Sequence, residues 1–145
     1  MAQTLILVKG IADVAVAAIL TFKPAIIYES FLARAVHSFS ELHLTDASTA
    51  PGFNQSVACM VAAVGVGHVV ASKSGPASHA SVFAMNLTFS ILGFLACALP
   101  SRESGIGSAT MLMTSCNHLL FSLALLWADP GVLGGRGSGT GKKRS

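Results

Sequence analysis

Long apolar stretches separated by short polar segments set the pattern of this chain. No Asp, Glu, Lys or Arg occurs in 47–72, 74–101 or 104–128. Each of these stretches exceeds the roughly 20 residues that a helix needs to cross the hydrocarbon of a bilayer. The pattern predicts an all-α fold, a four-helix transmembrane bundle over 1–130. We place its spans near 4–22, 55–73, 79–99 and 108–128, with the prolines outside them, where a missing N–H costs nothing.

The first predicted span is interrupted by two charges, Lys9 and Asp13. A cleaved signal peptide is the rival interpretation, because the Ala-Val-Ala run at 15–17 resembles a small-residue cleavage site. A signal peptide, however, begins with basic residues and keeps charges out of its apolar core. We therefore favour a retained span.

The segment 23–54 is the long polar connection, and apolar residues recur within it at helical spacing. They are Tyr28, Phe31, Leu32, Ala35, Val36, Phe39 and Leu42. This periodicity predicts a short interfacial amphipathic helix between spans 1 and 2. The connections that follow are short, so we expect spans two to four to form a series of antiparallel hairpins.

Composition supports a membrane location. Of 145 residues, 52% are hydrophobic and only 10% are charged, against about 25% charged in an ordinary soluble domain. A disordered chain needs the opposite balance, and a soluble domain this small needs charges to cover its surface. We therefore expect a multi-pass membrane protein whose first partner is the lipid bilayer.

The net charge of +3 is concentrated at the end of the chain. The segment 131–145 is rich in Gly and carries Arg136, Lys142, Lys143 and Arg144, so we expect a disordered basic tail that contacts anionic headgroups. No basic stripe with interleaved aromatics occurs elsewhere, so no nucleic-acid partner is expected. With four spans, Lys73 and the tail share one side, and Lys23, Arg34 and Arg102 share the other, which favours termini in the cytoplasm.

Polar residues inside the predicted spans are the candidates for chemistry. Ionisable groups in hydrocarbon cost about 2.5 to 3.5 kcal/mol on insertion scales, so they face the bundle interior and find partners. With a rise of about 1.5 Å per residue, antiparallel threading brings most of them into the same half of the bilayer. This clustering predicts a polar pocket that opens toward one side. Candidate catalytic residues are Lys9, Asp13, His68 and His118, and candidate substrate-binding residues are Asn86, Ser90, Ser115 and Asn117.

The roles of these residues follow from their chemistry. Asp13 and the two histidines are candidate general acids or bases. Lys9 lies one helical turn before Asp13 and either pairs with it or stabilises a developing oxyanion. The two asparagines would orient a carbonyl or a hydroxyl. A metal or haem between His68 and His118 is an alternative, but metal sites usually need more ligands, so no metal and no cofactor are predicted.

A purely structural explanation competes with this one. Polar side chains often hold spanning helices together, and small residues let the helices approach closely. Cys59, Ala63 and Gly67 form such a small-residue ridge in the second span. Under this hypothesis, His68 simply hydrogen-bonds an asparagine of a neighbouring helix.

Two segments carry a resemblance to a known group of proteins. One runs from 52 to 68 and contains Gly-Phe-Asn-Gln-Ser followed by Cys-Met-Val-Ala-Ala-Val-Gly-Val-Gly-His, and the other is Val-Lys-Gly-Ile-Ala-Asp at 8–13. With these segments the chain resembles small four-span fungal integral membrane proteins, up to about residue 129. Several of those are encoded beside polyketide or terpenoid pathways, and some are similar in size to membrane anthrone oxygenases. The resemblance implies biosynthesis in secondary metabolism and assigns no active-site residue.

Two classes of function therefore stay open. The first is a membrane-embedded biosynthetic enzyme, of the cyclase, isomerase or oxygenase type, that acts on an apolar small molecule through the polar cluster. The second is a non-catalytic scaffold, accessory protein or carrier whose polar residues only hold the helices together. Four spans make a narrow bundle, so a carrier would need to form a homo-oligomer.

Overall fold

The structure is a computed structural model that describes residues 1–100 and 104–134. Within these ranges the chain is almost entirely helical, with one isolated bridge between His43 and Ser108. The helices are α1 (Ala2–Phe22), α2 (Ala25–Tyr28), α3 (Phe31–Ser40), α4 (Pro51–Lys73), α5 (His79–Ala98) and α6 (Ala109–Ala128). Four of them, α1, α4, α5 with its preceding 3-10 turn, and α6, are long and apolar enough to cross a membrane. The predicted all-α bundle is thus confirmed.

Local signals fix where the helices begin. Pro51 occupies the first turn of α4, where its fixed φ suits a helix and its missing N–H is not needed. Ser108 caps α6, because its hydroxyl accepts a hydrogen bond from the backbone N–H of Met111 at 3.1 Å. Ser30 caps α3 in the same way. This cap splits the predicted amphipathic helix into α2 and α3, and α3 leaves Phe31 and Phe39 exposed.

The bundle is built from two antiparallel helix pairs, α1 with α4 and α5 with α6. The α1–α4 pair meets where Gly10 lies against Gly65: a Cβ on Gly10 would come within 2.7 Å of the Gly65 carbonyl oxygen. The consecutive helices α4 and α5 touch much less. The expected α5–α6 hairpin is therefore closely packed, whereas α4 packs mainly against α1 and meets α5 over a smaller contact.

The small-residue ridge predicted for helix packing was wrong in position. Cys59, Ala63 and Gly67 are all exposed on the outer surface of α4, and nothing lies within 4 Å of a Cβ built on Gly67. The close approach uses Gly65 instead, which lies on a different face of the same helix. Two glycines two residues apart in one helix point about 200° apart, so only one of them can line an interface.

Two apolar clusters lie on either side of the polar groups. One cluster, toward the N-terminus of α1, contains Ala2, Ile6, Val82, Phe83, Phe121, Leu125 and Val132. The other, toward the C-terminus of α1, contains Leu20, Tyr28 and Ala58. On α1, the charged residues Lys9 and Asp13 thus lie between the two apolar clusters.

The predicted disordered tail falls mostly outside the described residues. Arg102 and the four basic residues of the tail lie there, namely Arg136, Lys142, Lys143 and Arg144. The first residues after α6 are described: Pro130–Val132 forms a 3-10 turn, and Val132 is buried in the first apolar cluster.

Candidate functional site

Five polar side chains from the four long helices form one continuous hydrogen-bonded row, which we call the polar layer: Lys9, Asp13, His68, Asn86 and His118. The Lys9 ammonium pairs with Oδ1 of Asp13, one turn along α1. Oδ2 of Asp13 lies 3.0 Å from Nδ1 of His68 on α4. Nε2 of His68 lies 3.0 Å from Nδ2 of Asn86 on α5, and Oδ1 of Asn86 lies 2.6 Å from Nδ1 of His118 on α6.

The Asn86 side chain fixes the tautomer of both histidines. Its Nδ2 donates to the backbone carbonyl of Val82 at 2.9 Å, which identifies that atom as the NH₂ group. The same NH₂ group donates to Nε2 of His68, so that nitrogen carries no hydrogen and the ring proton lies on Nδ1, facing Asp13. The Asn86 carbonyl oxygen accepts from Nδ1–H of His118. A neutral His118 then has Nε2 as a bare acceptor.

The polar layer is buried over most of its length and becomes accessible at the His118 end. His68 is 0% exposed, Asn86 is 1% exposed and Lys9 is 7% exposed, whereas His118 is only half-buried. Within the described ranges His118 hydrogen-bonds through Nδ1, which leaves Nε2 unpaired. The accessible end of the row is therefore the histidine whose acceptor nitrogen is unoccupied.

Two aromatic rings, those of Phe121 and Phe89, pack against side chains of the polar layer. The ring of Phe121 lies 5.9 Å from the Lys9 ammonium and 6.0 Å from the His68 ring, centroid to centroid. A cation over a ring face is stabilised by the ring quadrupole. On α5, the ring of Phe89 lies 4.4 Å from that of His118, tilted by 40°.

The other predicted substrate-binding residues lie outside this row. Ser90 and Ser115 are fully buried at the α5–α6 contact, about one turn after Asn86 on α5 and one turn before His118 on α6. The Ser90 hydroxyl donates to the Ser115 carbonyl at 2.9 Å. The Ser115 hydroxyl donates back to Met111 in its own helix. Asn117 is exposed on the outer surface of α6. The structure thus unites the four candidate catalytic residues with Asn86 and leaves out Ser90, Ser115 and Asn117.

The polar layer offers little for a metal or haem. Both ring nitrogens of His68 are engaged, one by Asp13 and one by Asn86. Asn86 also separates His68 from His118. In the part of the chain that the structure describes, no group of three His, Cys, Asp or Glu side chains is placed to hold a metal ion.

A second histidine–aspartate pair was not predicted from the sequence. Nδ1 of His79, at the start of α5, lies 2.7 Å from Oδ2 of Asp129, just after α6. His79 is 4% exposed, and its Nε2 is buried without a hydrogen-bond partner among the described residues. The signal was available, since antiparallel neighbours bring the start of one helix beside the end of the next.

A third polar contact lies at the opposite end of the bundle. The Tyr28 hydroxyl donates to Oδ1 of Asn54 at 2.6 Å, and Nδ2 of Asn54 donates to the Leu20 carbonyl at 3.0 Å. Burial raises the pKa of Tyr28, which keeps its hydroxyl protonated as the donor. Asn54 thus ties the start of α4 to α1, a role that the sequence did not reveal.

Two cavities, of about 260 and 250 Å³, lie beneath the loop that follows α3. Both are lined by Tyr28, Thr45, Asp46 and Ala47. The backbone N–H and hydroxyl of Ser48 both bond the Asp46 carboxylate and lower its pKa. Neither cavity includes a residue of the polar layer.

The geometry of the polar layer suits proton transfer at one atom, Nε2 of His118. A histidine whose Nδ1–H is held by a fixed acceptor presents Nε2 in a set orientation, which is how a side-chain amide positions the base in Cys-His-Asn proteases. Comparisons with protein-family models, with curated proteins and with solved structures give no match to this chain.

Proposed function

We propose that this protein is a membrane-embedded enzyme that catalyses proton transfer on an apolar small molecule, as an isomerase or cyclase does. The observation that carries the proposal is the row from Lys9 to His118, which ends in an accessible acceptor nitrogen. Intramembrane ionisable residues are costly and are associated with function. Isomerisation and cyclisation can both proceed by proton transfer, which the side chains of this row are placed to perform.

In this mechanism His118 is the catalytic residue. Its Nε2 takes a proton from an acidic C–H or O–H of the substrate and later returns it at another position, so no net oxidation occurs. The Asn86 carbonyl oxygen, 2.6 Å from Nδ1, holds the ring and stabilises the imidazolium that forms. Proton exchange of this kind rearranges double bonds or closes rings.

The remaining members of the row are positioning residues. His68 holds the Asn86 amide in its orientation, and Asp13 holds His68 in the tautomer that accepts from Asn86. The Lys9 ammonium balances the Asp13 carboxylate inside the bundle. A carboxylate without that partner would carry a large desolvation penalty at this depth.

The wider setting of the proposal comes from the sequence. The resemblance to fungal four-span proteins suggests a step in secondary metabolism, with the lipid bilayer and an apolar small molecule as partners. Five basic residues on the side of the termini against three on the other favour termini in the cytoplasm.

The test compares apolar metabolites in cells that naturally make the chain, after deletion and complementation. We expect deletion to change at least one lipid-soluble metabolite, wild type to restore it, and His118→Gln to fail while it accumulates and inserts normally. His37→Gln is the matched control, because it makes the same chemical change in α3, away from the polar layer. Restoration by His118→Gln would overturn the proposal.

A non-catalytic scaffold is the second candidate, favoured by one observation: Asp13, His68 and Asn86 find all their hydrogen-bond partners within the bundle. A scaffold predicts a different outcome in the same experiment. Each substitution in the row would then lower the amount of protein in the membrane, and any metabolite change would scale with that amount.

A further inference from the structure

We infer that His118 is reached sideways from the bilayer, across the surface between α5 and α6 that Phe89 covers. The ligand class assigned to this surface is a flat, apolar molecule that carries an O–H donor. The inference rests on the proposed function for its chemistry, but binding at this surface requires no turnover.

The position of Phe89 supports a lateral route. Its ring lies against the His118 ring at 4.4 Å and is itself 44% exposed. Met85, one turn earlier on the same face of α5, is 42% exposed, and Asn117 of α6 is also exposed. Exposed surface in the middle of membrane-crossing helices contacts lipid chains. A molecule dissolved in the bilayer therefore meets Phe89 first and His118 directly behind it.

The chemistry at this surface selects the ligand. Nδ1–H of His118 is committed to Asn86, so a neutral ring offers only an acceptor, Nε2. An acceptor in an apolar, water-poor setting is costly unless a donor reaches it. Apart from Asn117, the exposed residues named here are apolar, so a fitting ligand brings one donor on an otherwise apolar frame. A flat frame can take the place of the Phe89 ring against the imidazole.

The first experiment tests the direction of access. Trp127 is the single tryptophan of the chain, so a Trp127→Phe, Phe89→Trp variant carries one fluorophore at the proposed entrance. The full chain is placed in phosphatidylcholine vesicles. We expect strong quenching by phosphatidylcholine with brominated acyl chains and little quenching by aqueous iodide. Quenching by iodide with none from the brominated lipid would overturn the lateral route.

The second experiment tests the unpaired nitrogen itself. Diethyl pyrocarbonate transfers an ethoxycarbonyl group to an unprotonated ring nitrogen and releases carbon dioxide and ethanol, and mass spectrometry locates the product. His68 is the internal control, because both of its nitrogens are bonded and it is fully buried. We expect His118 to react at least about tenfold faster than His68, the factor that about 1.4 kcal/mol of local opening would impose. Equal rates would contradict the inference. Phe89→Ala should raise the rate at His118 further.

The third experiment tests the ligand class with two matched probes, 2-naphthol and naphthalene. Both are flat and enter the bilayer, but only 2-naphthol carries an O–H donor. We expect 2-naphthol to protect His118 from labelling and naphthalene to protect it far less. Equal protection by both would overturn the need for a donor, and protection by neither would overturn the ligand class.

The outcomes also separate this inference from the proposed function. A silent metabolite comparison with the expected labelling and protection would leave a lipid-facing binding site without catalysis. A changed metabolite profile without selective labelling of His118 would leave the enzyme and remove the lateral entrance.

Discussion

The α1–α4 pair and the α5–α6 pair of this bundle are held together in different ways. In the first, the backbones of Gly10 and Gly65 touch and an ion pair lies beside the crossing. In the second, the Ser90 hydroxyl bridges to the Ser115 carbonyl, beside Gly93, and no charged side chain is part of that contact. Both helix pairs need a glycine at the point of closest approach, since a Cβ on Gly93 would collide with the Ser115 hydroxyl oxygen. They differ in their polar contacts, because α1–α4 depends on charge balance whereas α5–α6 depends on neutral hydrogen bonds.

The largest effect is expected from breaking the ion pair of the first helix pair. Asp13→Asn keeps an acceptor for Nδ1 of His68 but leaves the Lys9 ammonium, 7% exposed, without its counter-charge. Removing one partner of a buried pair costs about 3–5 kcal/mol. We expect a loss of that order in the free energy of unfolding, measured by denaturant titration in micelles.

The matched control removes both charges together. Lys9→Met with Asp13→Asn should recover much of the lost stability, because no unpaired ammonium remains in the bundle and the amide oxygen still accepts from Nδ1–H of His68. If Asp13→Asn alone were as stable as wild type, the Lys9–Asp13 ion pair would not be buried inside the bundle.

The next effect concerns the glycine crossing. Gly65→Ala places a Cβ 2.9 Å from backbone atoms of α1, so we expect a loss of about 1–3 kcal/mol in the free energy of unfolding. Gly67→Ala, two residues along the same helix, meets nothing within 4 Å and should gain up to about 1 kcal/mol from helix propensity. Effects of the same sign at both positions would contradict the placement of the crossing.

A smaller effect is expected in the second helix pair. Ser90→Ala removes a bond between helices, whereas Ser122→Ala removes only a bond back to the His118 carbonyl of its own helix. Both serines are 1% exposed, so the difference between the two variants isolates the interhelical bond. Such bonds average about 0.6 kcal/mol in a membrane protein, and we expect a difference of that size in thermal or denaturant unfolding. No difference would show that α5–α6 does not rely on this bond.

The smallest effect lies outside both pairs, in the loop after α3. The pKa of Asp46 is lowered by Ser48, so the stabilisation exists above the carboxyl's ordinary pKa and is lost as the pH falls through the folded value. Between about pH 7 and about pH 2, we expect the Ser48 amide to lose protection from hydrogen exchange, after correction for the intrinsic rate. Asp46→Asn keeps an acceptor and should remove the pH dependence. A pH response that persists in that variant would assign it to another group.

Much of the fold was readable from the sequence because hydrocarbon tolerates few charges. The charge-free stretches placed α4, α5 and α6 to within a few residues. Depth counting also placed Asp13, His68 and His118 in the same half of the bilayer, since antiparallel helices of fixed rise leave little freedom along the bundle axis.

Rotation about each helix axis was harder to predict. Neighbouring residues of a helix point about 100° apart, so only one of Asn117 and His118 could turn inward, and both are polar. The same ambiguity placed the packing ridge at Gly67 instead of Gly65. Which face of α4 turns inward depends on how α1 and α4 approach each other. That approach is set by contacts between residues far apart in the chain, which a local sequence pattern does not show.

The hydrogen-bonding pattern within the polar layer was also beyond the sequence. Asn86 was expected to orient a substrate, but its amide is occupied by Val82, His68 and His118. One amide contacts two histidines and so sets the tautomer of both, an arrangement that depends on the rotation of three helices and leaves no local sequence pattern.

The most direct measurement is the ¹⁵N NMR spectrum of the histidine side chains in the full chain in lipid bilayers, near neutral pH. We expect His68 and His118 both to carry hydrogen on Nδ1 and none on Nε2, and Asn86→Leu to remove this preference at His118. A spectrum with hydrogen on Nε2 of His118 in the wild-type chain would contradict this expectation, because the proposed base would then have no acceptor to offer.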